Sequence, residues 1–368
     1  MNKLGAQSIV VGVDVHKYSH TAVAMDCWGQ EKGKLDFSND SLEDCAAWLD
    51  NLGEKQNLIV ALEDANGYGA HIVEKLSKLN FPLRYVPAIL TERDRRRSTQ
   101  RDKSDYLDAK RVGKVILTKY EETLPAKESI ADEKELGIAK TMDLLLSERR
   151  DLVKQKTIVK NQMHALLHQY YGDHYKDNFK PFSKKGLAFY ISDLSFAKPE
   201  SMTKNIIKQG ILRRLNRFSL LEKQIAEIGK ELTKASQDSP QVSALKQLIH
   251  GCGLVTACAI VSEIYTIKRF KNKAQLAKYS GIAPTTRESG AKNKVYTNLF
   301  GNRLLNRALH TIALSQIAIR GDDRGKKYYQ KKLEEGKSKL WALRCLKRQM
   351  SNRVFQVLKQ VEKEKTTE

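Results

Sequence analysis

The chain has 368 residues, with 65 Lys plus Arg against 43 Asp plus Glu and a formal net charge of +22. That length carries two or three domains with real cores, and the positive excess suits a polyanion such as DNA or RNA, or less specifically an anionic membrane surface. No apolar run reaches transmembrane length, no signal-peptide pattern is visible, and the five cysteines (Cys27, Cys45, Cys252, Cys258, Cys345) form no CxxC, so the expectation is a cytoplasmic protein without membrane insertion, disulfide framework or structural zinc.

Residues 8–15, 20–27 and 31–38 read as three strands in a meander, with polar turns at HKYSH and GQEKGK. A helix is expected over 41–52 with Ser41 as N-cap, then an apolar strand at 58–63 ending in Glu63. A helix at 70–79, a short strand at 83–87, a basic stretch and a helix at 104–119 complete an α/β pattern with a mixed sheet. From 130 to 170 the pattern becomes one long helix. Ile138, Leu145, Leu152, Val159 and Leu166 recur every seven residues, with Met142, Met163 and Tyr170 at companion positions, as in a coiled-coil seam. A second amphipathic helix at 206–235 would close an antiparallel hairpin with the first, joined by an insertion at 172–205 of no assignable role. Such a hairpin is a candidate for self-association. The remainder, 242–362, reads as helical with a loop at about 281–300.

Four carboxylates stand out in the α/β part. Asp14 sits within the first strand, where Ile9, Val11, Val13 and Val15 line one face and Val10, Gly12, Asp14 and His16 the other. A carboxylate among so many β-branched residues is costly to bury unless a cation or donors meet it. Glu63 ends the fourth strand. Asp105 and Asp108 are three residues apart on a helix and share a face. Adjacent first and fourth strands with that helix leaning over them would gather four oxygen-rich side chains around a space suited to Mg²⁺ or Mn²⁺. Two such ions can activate the attacking oxygen and stabilise the leaving one in phosphodiester chemistry. Each acid alone is ordinary, and Asp64, Asp94 and Asp102 are decoys. The combination with a basic chain is what favours metal-dependent nucleic-acid chemistry. The run RDRRRSTQRDK supplies Arg93, Arg95, Arg96, Arg97, Arg101 and Lys103, placed to bring a phosphate backbone to the carboxylates.

In LIHGCGLVTACAIVSEI, 248–264, a Gly-x-Gly turn leads into an apolar helix and reads as a tight interhelical turn. The loop YSGIAPTTRESGAKNK, 279–294, holds Ser289 before Gly290, flanked by Arg287, Lys292 and Lys294, which could hold a phosphate. A serine needs a base or metal to become a nucleophile, and no histidine is placed in sequence to serve.

These blocks together resemble the DEDD recombinases of bacterial and archaeal insertion sequences, the one-ten family with its one-one-one-one branch, akin to Piv-type invertases. GVDVHK is similar to the family's first-strand motif, ALEDANGYG to its E-x-x-G-x-Y-type motif, and KSDYLDAKR to K-[ST]-D-x-x-D-A. The C-terminal blocks GCGLVTACAIVSEI, LAKYSGIAPTTRESG and GNRLLNRALHTIAL look like the family's transposase domain. The resemblance selects Asp14, Glu63, Asp105 and Asp108 over Asp102 as metal ligands and Ser289 as nucleophile. It implies an RNase H-like (RuvC-like) domain over 1–125, a coiled-coil hairpin over 126–238 and a helical transposase domain over 239–368. It further implies double-stranded DNA as substrate, a structured guide RNA, and a homo-oligomer between dimer and tetramer. His250 stands where the family commonly has proline before its Gly-x-Gly. The expected function is a site-specific recombinase acting through a phosphoserine link. A Holliday-junction-type nuclease or invertase is the competing enzyme, and a non-catalytic nucleic-acid binder the third class.

Overall fold

A computed structural model describes residues 4–64, 67–97, 104–127, 129, 132–176, 180–198, 201–289, 292–296, 298, 301–318 and 321–367. In chain order the elements are strands β1 (Ile9–Val15), β2 (Ser19–Asp26) and β3 (Glu31–Ser38), helix α1 (Leu42–Leu52), strand β4 (Leu58–Leu62), helix α2 (Ala70–Lys78), strand β5 (Leu83–Tyr85), helices α3 (Ala88–Arg97) and α4 (Asp105–Lys119), and strand β6 (Leu124–Pro125). Then come helices α5 (Glu133–Tyr171), α6 (Lys184–Phe196), α7 (Met202–Ala235), α8 (Pro240–Leu248), α9 (Leu254–Ile264) and α10 (Lys273–Tyr279). A hairpin of β7 (Thr285–Ser289) and β8 (Lys292–Tyr296) precedes helices α11 (Arg303–Ile317), α12 (Asp323–Glu334) and α13 (Lys339–Thr367). The chain divides into two compact units, one of 1–137, 248–251 and 264–368, the other of 138–247 and 252–263.

In the first unit six strands form a mixed sheet in the order β3-β2-β1-β4-β5-β6. β1, β2 and β3 pair antiparallel, whereas β1–β4 and β4–β5 are parallel and β5–β6 antiparallel. β1 is therefore central, and both of its faces are covered. Val11 and Val13 enter a core with Leu49 of α1 and Ile72, Val73 and Leu76 of α2. Val10 enters a second core with Ile59, Leu90 of α3 and Val112, Val115 and Ile116 of α4. Each such fully buried aliphatic side chain stabilises the fold by about 1.5–3 kcal/mol. The face of β1 that carries Gly12 and Asp14 is thus the face under α4.

The C-terminal segment of this unit docks on the sheet's β6 edge. The buried Arg269 donates from Nε to the Pro125 carbonyl at 3.2 Å and from Nη1 to the Ile264 carbonyl at 3.1 Å. Lys278 pairs with Glu122 at 2.8 Å, Lys271 with Glu121, and Lys365 with Glu135. Helices α10, α11 and α12 all pack on α13. Gly251 adopts φ +78° in the turn after α8, as a tight interhelical turn requires, and a Cβ there would lie 2.5 Å from Ser315 Cβ.

In the second unit α5 and α7 run antiparallel. Lys156 pairs with Glu222 at 2.7 Å, while six residues further on Gln162 accepts from Arg214 at 3.1 Å. Their shared core takes Val159, Met163 and Leu167 from α5 and Ile211, Leu215, Phe218 and Leu221 from α7.

Three expectations change. The stretch 281–300 is not all loop, because β7 and β8 pair with Thr285 opposite Tyr296 and Ser289 opposite Lys292. The basic run begins inside a helix, α3. The insertion at 172–205 contains α6, whose Tyr190 and Leu194 fill the α5–α7 core. On α5, Val159 of the seven-residue stripe and its companions Met142 and Met163 are fully buried, Leu152, Leu166 and Tyr170 pack partly buried against the core, and Ala139, Leu146 and Leu167 are buried outside the stripe. Among the described residues no helix is long and apolar enough to cross a membrane.

Candidate active site

The parallel register of β1 and β4 positions the first two carboxylates. Val13 lies opposite Leu62, the last residue of β4, so Asp14, still within β1 and paired with Thr21, and Glu63, just past β4, follow at the same end of neighbouring strands. The second pair arrives on α4. Ser104 caps that helix by accepting from the Leu107 amide at 3.3 Å, which places Asp105 and Asp108 in its first turn. There the helix dipole favours acids. The close approach of α4 rests on Gly12, where a Cβ would lie 2.1 Å from the Ala109 carbonyl oxygen and 2.4 Å from the Gly113 nitrogen.

His16 ties the two pairs together. Its Nε2 lies 3.1 Å from Asp14 Oδ2 and 3.2 Å from Asp105 Oδ1. One donor atom from each of Asp14, His16 and Asp105 falls within 4.8 Å of the others, a spacing compatible with a shared metal ion. The remaining acids belong electrostatically to the same place. Burial pushes the Asp14 carboxyl above its ordinary value, Asp108 and Asp105 push it further, and His16 opposes them. Burial also raises Glu63, a hydrogen bond with Thr91 and the charge of Arg95 oppose it, and Asp14 and Asp108 add to it. Asp108 is held by Arg111 at 2.6 Å. Half-buried carboxylates that repel one another, with one imidazole between two of them, form a donor set that fits a divalent cation.

Of the basic residues singled out in the sequence, Arg95 and Arg96 both pair with Glu92, at 2.5 and 2.9 Å, and Arg93 is exposed on α3. Arg97 ends α3. Arg101, Asp102 and Lys103 lie outside the described residues. Ser289 ends β7, opposite Lys292 at the start of β8, with Arg287 and Lys294 forming the next but one pair of the hairpin. The side chains of these four lie outside the described structure. His16, Thr91 and Arg111 were not singled out from sequence. For His16 a signal existed, since it follows Asp14 by two residues and so shares its face of β1.

Comparison with known proteins adds the family. A transposase model of the DEDD IS110 type matches residues 11–172, which span the sheet, α4 and all four carboxylates. A second model, described as transposase of the IS116/IS110/IS902 family, matches residues 244–330, which include the hairpin. A 110-residue stretch is 32% identical to the insertion element IS110 uncharacterized 43.6 kDa protein of Streptomyces coelicolor, covering 30% of this chain and 27% of that protein. Two models of one family, in order and over most of the length, agree with this relative, and the chain belongs to the IS110 family of transposases.

Proposed function

We propose that this protein is a metal-dependent DNA recombinase that mobilises an insertion sequence. The observation that carries the reading is the gathering of Asp14, His16 and Asp105, with Glu63 and Asp108 in electrostatic reach, at the ends of two parallel strands. The strand order with its antiparallel β3-β2-β1 half and parallel β1-β4-β5 half supports the RNase H-like assignment of that domain. The domain scheme is a catalytic region over 1–125, a helical hairpin over 126–238 and a serine-bearing helical region over 239–368.

Asp14, Glu63, Asp105 and Asp108 are the ligands of Mg²⁺ or Mn²⁺. When bound, such a cation polarises the scissile phosphate and favours deprotonation of the attacking hydroxyl. Ser289 Oγ attacks phosphorus, its proton leaves to solvent or a carboxylate, a phosphoserine ester forms, and the bond to the departing deoxyribose oxygen breaks. Attack of a new deoxyribose hydroxyl on that ester regenerates the serine and joins the strands. Arg93, Arg95, Arg96, Arg97, Arg101, Lys103, Arg287, Lys292 and Lys294 neutralise backbone phosphate. The family resemblance supports a structured guide RNA, with which the +22 charge is compatible, and a dimeric to tetrameric assembly, and the scattered cysteines support a cytoplasmic location.

The test is Ser289→Ala, assayed for strand cleavage and for protein–DNA adducts on a denaturing gel. Loss of both in the variant, with an adduct in wild type, supports the serine mechanism. Cleavage at wild-type rate without any adduct favours the Holliday-junction-type nuclease, which needs the carboxylates but no serine.

A further inference from the structure

The helices after the hairpin enclose a second feature that the carboxylate chemistry does not use. A cavity of about 580 Å³ opens between α11, α12 and α13, beside the base of the β7–β8 hairpin. It lies within the range of about 300–1,000 Å³ typical of small-ligand sites. Its wall carries Arg303, Arg344, Lys347 and Arg348, and among the described residues no Asp or Glu lines it. Among the described residues none of these four cations forms an ion pair with a carboxylate. Lys347 donates instead to Asn306 Oδ1 at 2.6 Å, and the Arg344 guanidinium lies 4.7 Å over the Trp341 ring.

Cations that are partly buried beside one another without acids are unfavourable by themselves. Burial lowers both Lys347 and Arg348, and the charge of Arg344 lowers Lys347 further. A molecule that accepts this arrangement across a cavity is built to receive an anion. The aromatic part narrows the anion. Trp341, Tyr328 and Tyr296 line the same cavity, together with His310 of α11. Trp341, Arg344 and Arg348 are spaced three and four apart and form one stripe on α13. Phosphate oxygens suit the fork of an arginine, and the face of a nucleobase suits an indole ring.

We propose that this cavity binds a single unpaired nucleotide of a nucleic-acid strand, with its base on Trp341 and its phosphate on Lys347 and Arg348. The site is distinct from the carboxylates. The hairpin runs from Tyr296 at the cavity wall to Ser289 at its far end, four strand residues away, a span of about 14 Å. A nucleotide held in the cavity therefore fixes one point of a strand at a set distance from the end of the hairpin. A duplex base stays stacked and cannot enter, so the cavity selects strands with an unstacked base.

The test uses the full-length protein and fluorescence anisotropy with short labelled single strands of DNA and of RNA, and the matched DNA duplex. Trp341→Ala should weaken single-strand binding about 10-fold or more with an unchanged salt slope, and Trp341→Phe should restore most of it. Lys347→Met with Arg348→Met should weaken binding and flatten the salt slope by about two. Lys347→Met also removes the donor to Asn306 Oδ1, so Arg348→Met alone, which leaves that hydrogen bond in place, is measured beside the double variant and should weaken binding and flatten the salt slope by about one. Tighter binding of the DNA strand assigns the cavity to an exposed substrate strand, and tighter binding of the RNA strand assigns it to an RNA partner. Either outcome, with the Trp341 effect, supports the proposal. Wild-type affinity in Trp341→Ala, or equal loss for duplex and single strand, overturns it. Inorganic phosphate competing as well as a nucleoside monophosphate also overturns it, since the cavity would then be an anion site without base recognition.

Discussion

Two regions of the first unit hold unbalanced charge of opposite sign. At the ends of β1 and β4, four carboxylates face one another with His16, Arg95 and Arg111 as partial compensation. Around α13, four cations line a cavity with no acid among its described lining residues. Neither arrangement is what folding alone would select, since like charges near each other oppose compaction. The difference between them is informative. The acidic site is shallow and has an imidazole among oxygen donors, as suits a small cation. The basic site sets aromatic rings beside its cations, as suits a large, flat anion.

The largest effect is expected where the acidic site meets chemistry. Asp14→Asn or Asp105→Asn should lower strand cleavage by at least about 100-fold without unfolding the protein, since each removes a ligating charge. A cleavage assay with far-ultraviolet circular dichroism on the same samples checks both halves. Asp102→Asn should be mild, and equal loss there would show that the wrong acids were chosen.

The acidic site should also report its own repulsion in stability. Asp14 and Glu63 hold protons more tightly in the folded chain than in the unfolded one, because both carboxyls are raised. Their contribution is therefore fully present below the unfolded value near pH 4 and is lost as pH rises through the raised folded values. At neutral pH without divalent cation, Asp14→Asn should melt higher than wild type. Adding Mn²⁺ or Mg²⁺ should reverse that order, with about 2.7 kcal/mol of stabilisation in wild type at a hundredfold excess over Kd and little in the variant. Scanning calorimetry with and without EDTA decides it. A wild type indifferent to the cation would break the metal reading while leaving the basic cavity untouched.

His16 sharpens the contrast further. His16→Gln keeps a polar side chain but removes the imidazole between Asp14 and Asp105. Metal affinity should fall about 10–100-fold, whether the ring ligates or orients its neighbours. The loss should be larger for Mn²⁺ than for Mg²⁺ if the nitrogen ligates, because imidazole suits transition ions better. Titration calorimetry with both ions separates these roles.

How far the sequence reveals these regions follows from the same contrast. The sheet was legible because β1 and β2 are apolar runs bounded by polar turns, and the shared face of Asp105 and Asp108 follows from helical spacing. The pairing of Asp14 with Glu63 was legible only once β1 and β4 were placed side by side. The i+2 spacing places His16 on the face of Asp14, but it does not show that Asp105 of α4 comes to the other side of the ring. Helix α3 was not read from sequence because AILTERDRRR (Ala88–Arg97) has only Ile89 and Leu90 as large apolar residues, too few to show a helical period. The basic cavity was not legible at all. Its walls come from α11, α12, α13 and the hairpin base, and within α13 the stripe Trp341, Arg344, Arg348 reads as the ordinary solvated face of a basic helix. Only tertiary packing removes acids from its surroundings. The α5 stripe is legible in part. Burial there is set by where α6 and α7 lie, and it takes Met142, Val159 and Met163 from the repeat and its companion positions together with Ala139, Leu146 and Leu167 from outside it.

The smallest effects concern the contact that brings the acids together. Gly12 and Gly113 face each other where α4 crosses β1, yet they should respond differently to alanine. A Cβ on Gly12 would meet backbone, the Ala109 oxygen at 2.1 Å and the Gly113 nitrogen at 2.4 Å. Backbone cannot swing aside, so α4 as a whole must move. Gly12→Ala should therefore destabilise by about 1–3 kcal/mol, and because α4 carries Asp105 and Asp108 it should also reduce the stabilisation by divalent cation. A Cβ on Gly113 would meet the Met25 Cε at 2.3 Å, the end of a flexible side chain that can turn away. Alanine also gains about 1 kcal/mol of helix propensity over glycine in a helix interior. Gly113→Ala should thus stay within about 1 kcal/mol of wild type and keep its response to metal. Urea melts of both variants, each with and without Mn²⁺, test the geometry directly. If Gly12→Ala kept both its stability and its metal response, the close approach of α4 to β1 would not be what assembles the acidic site.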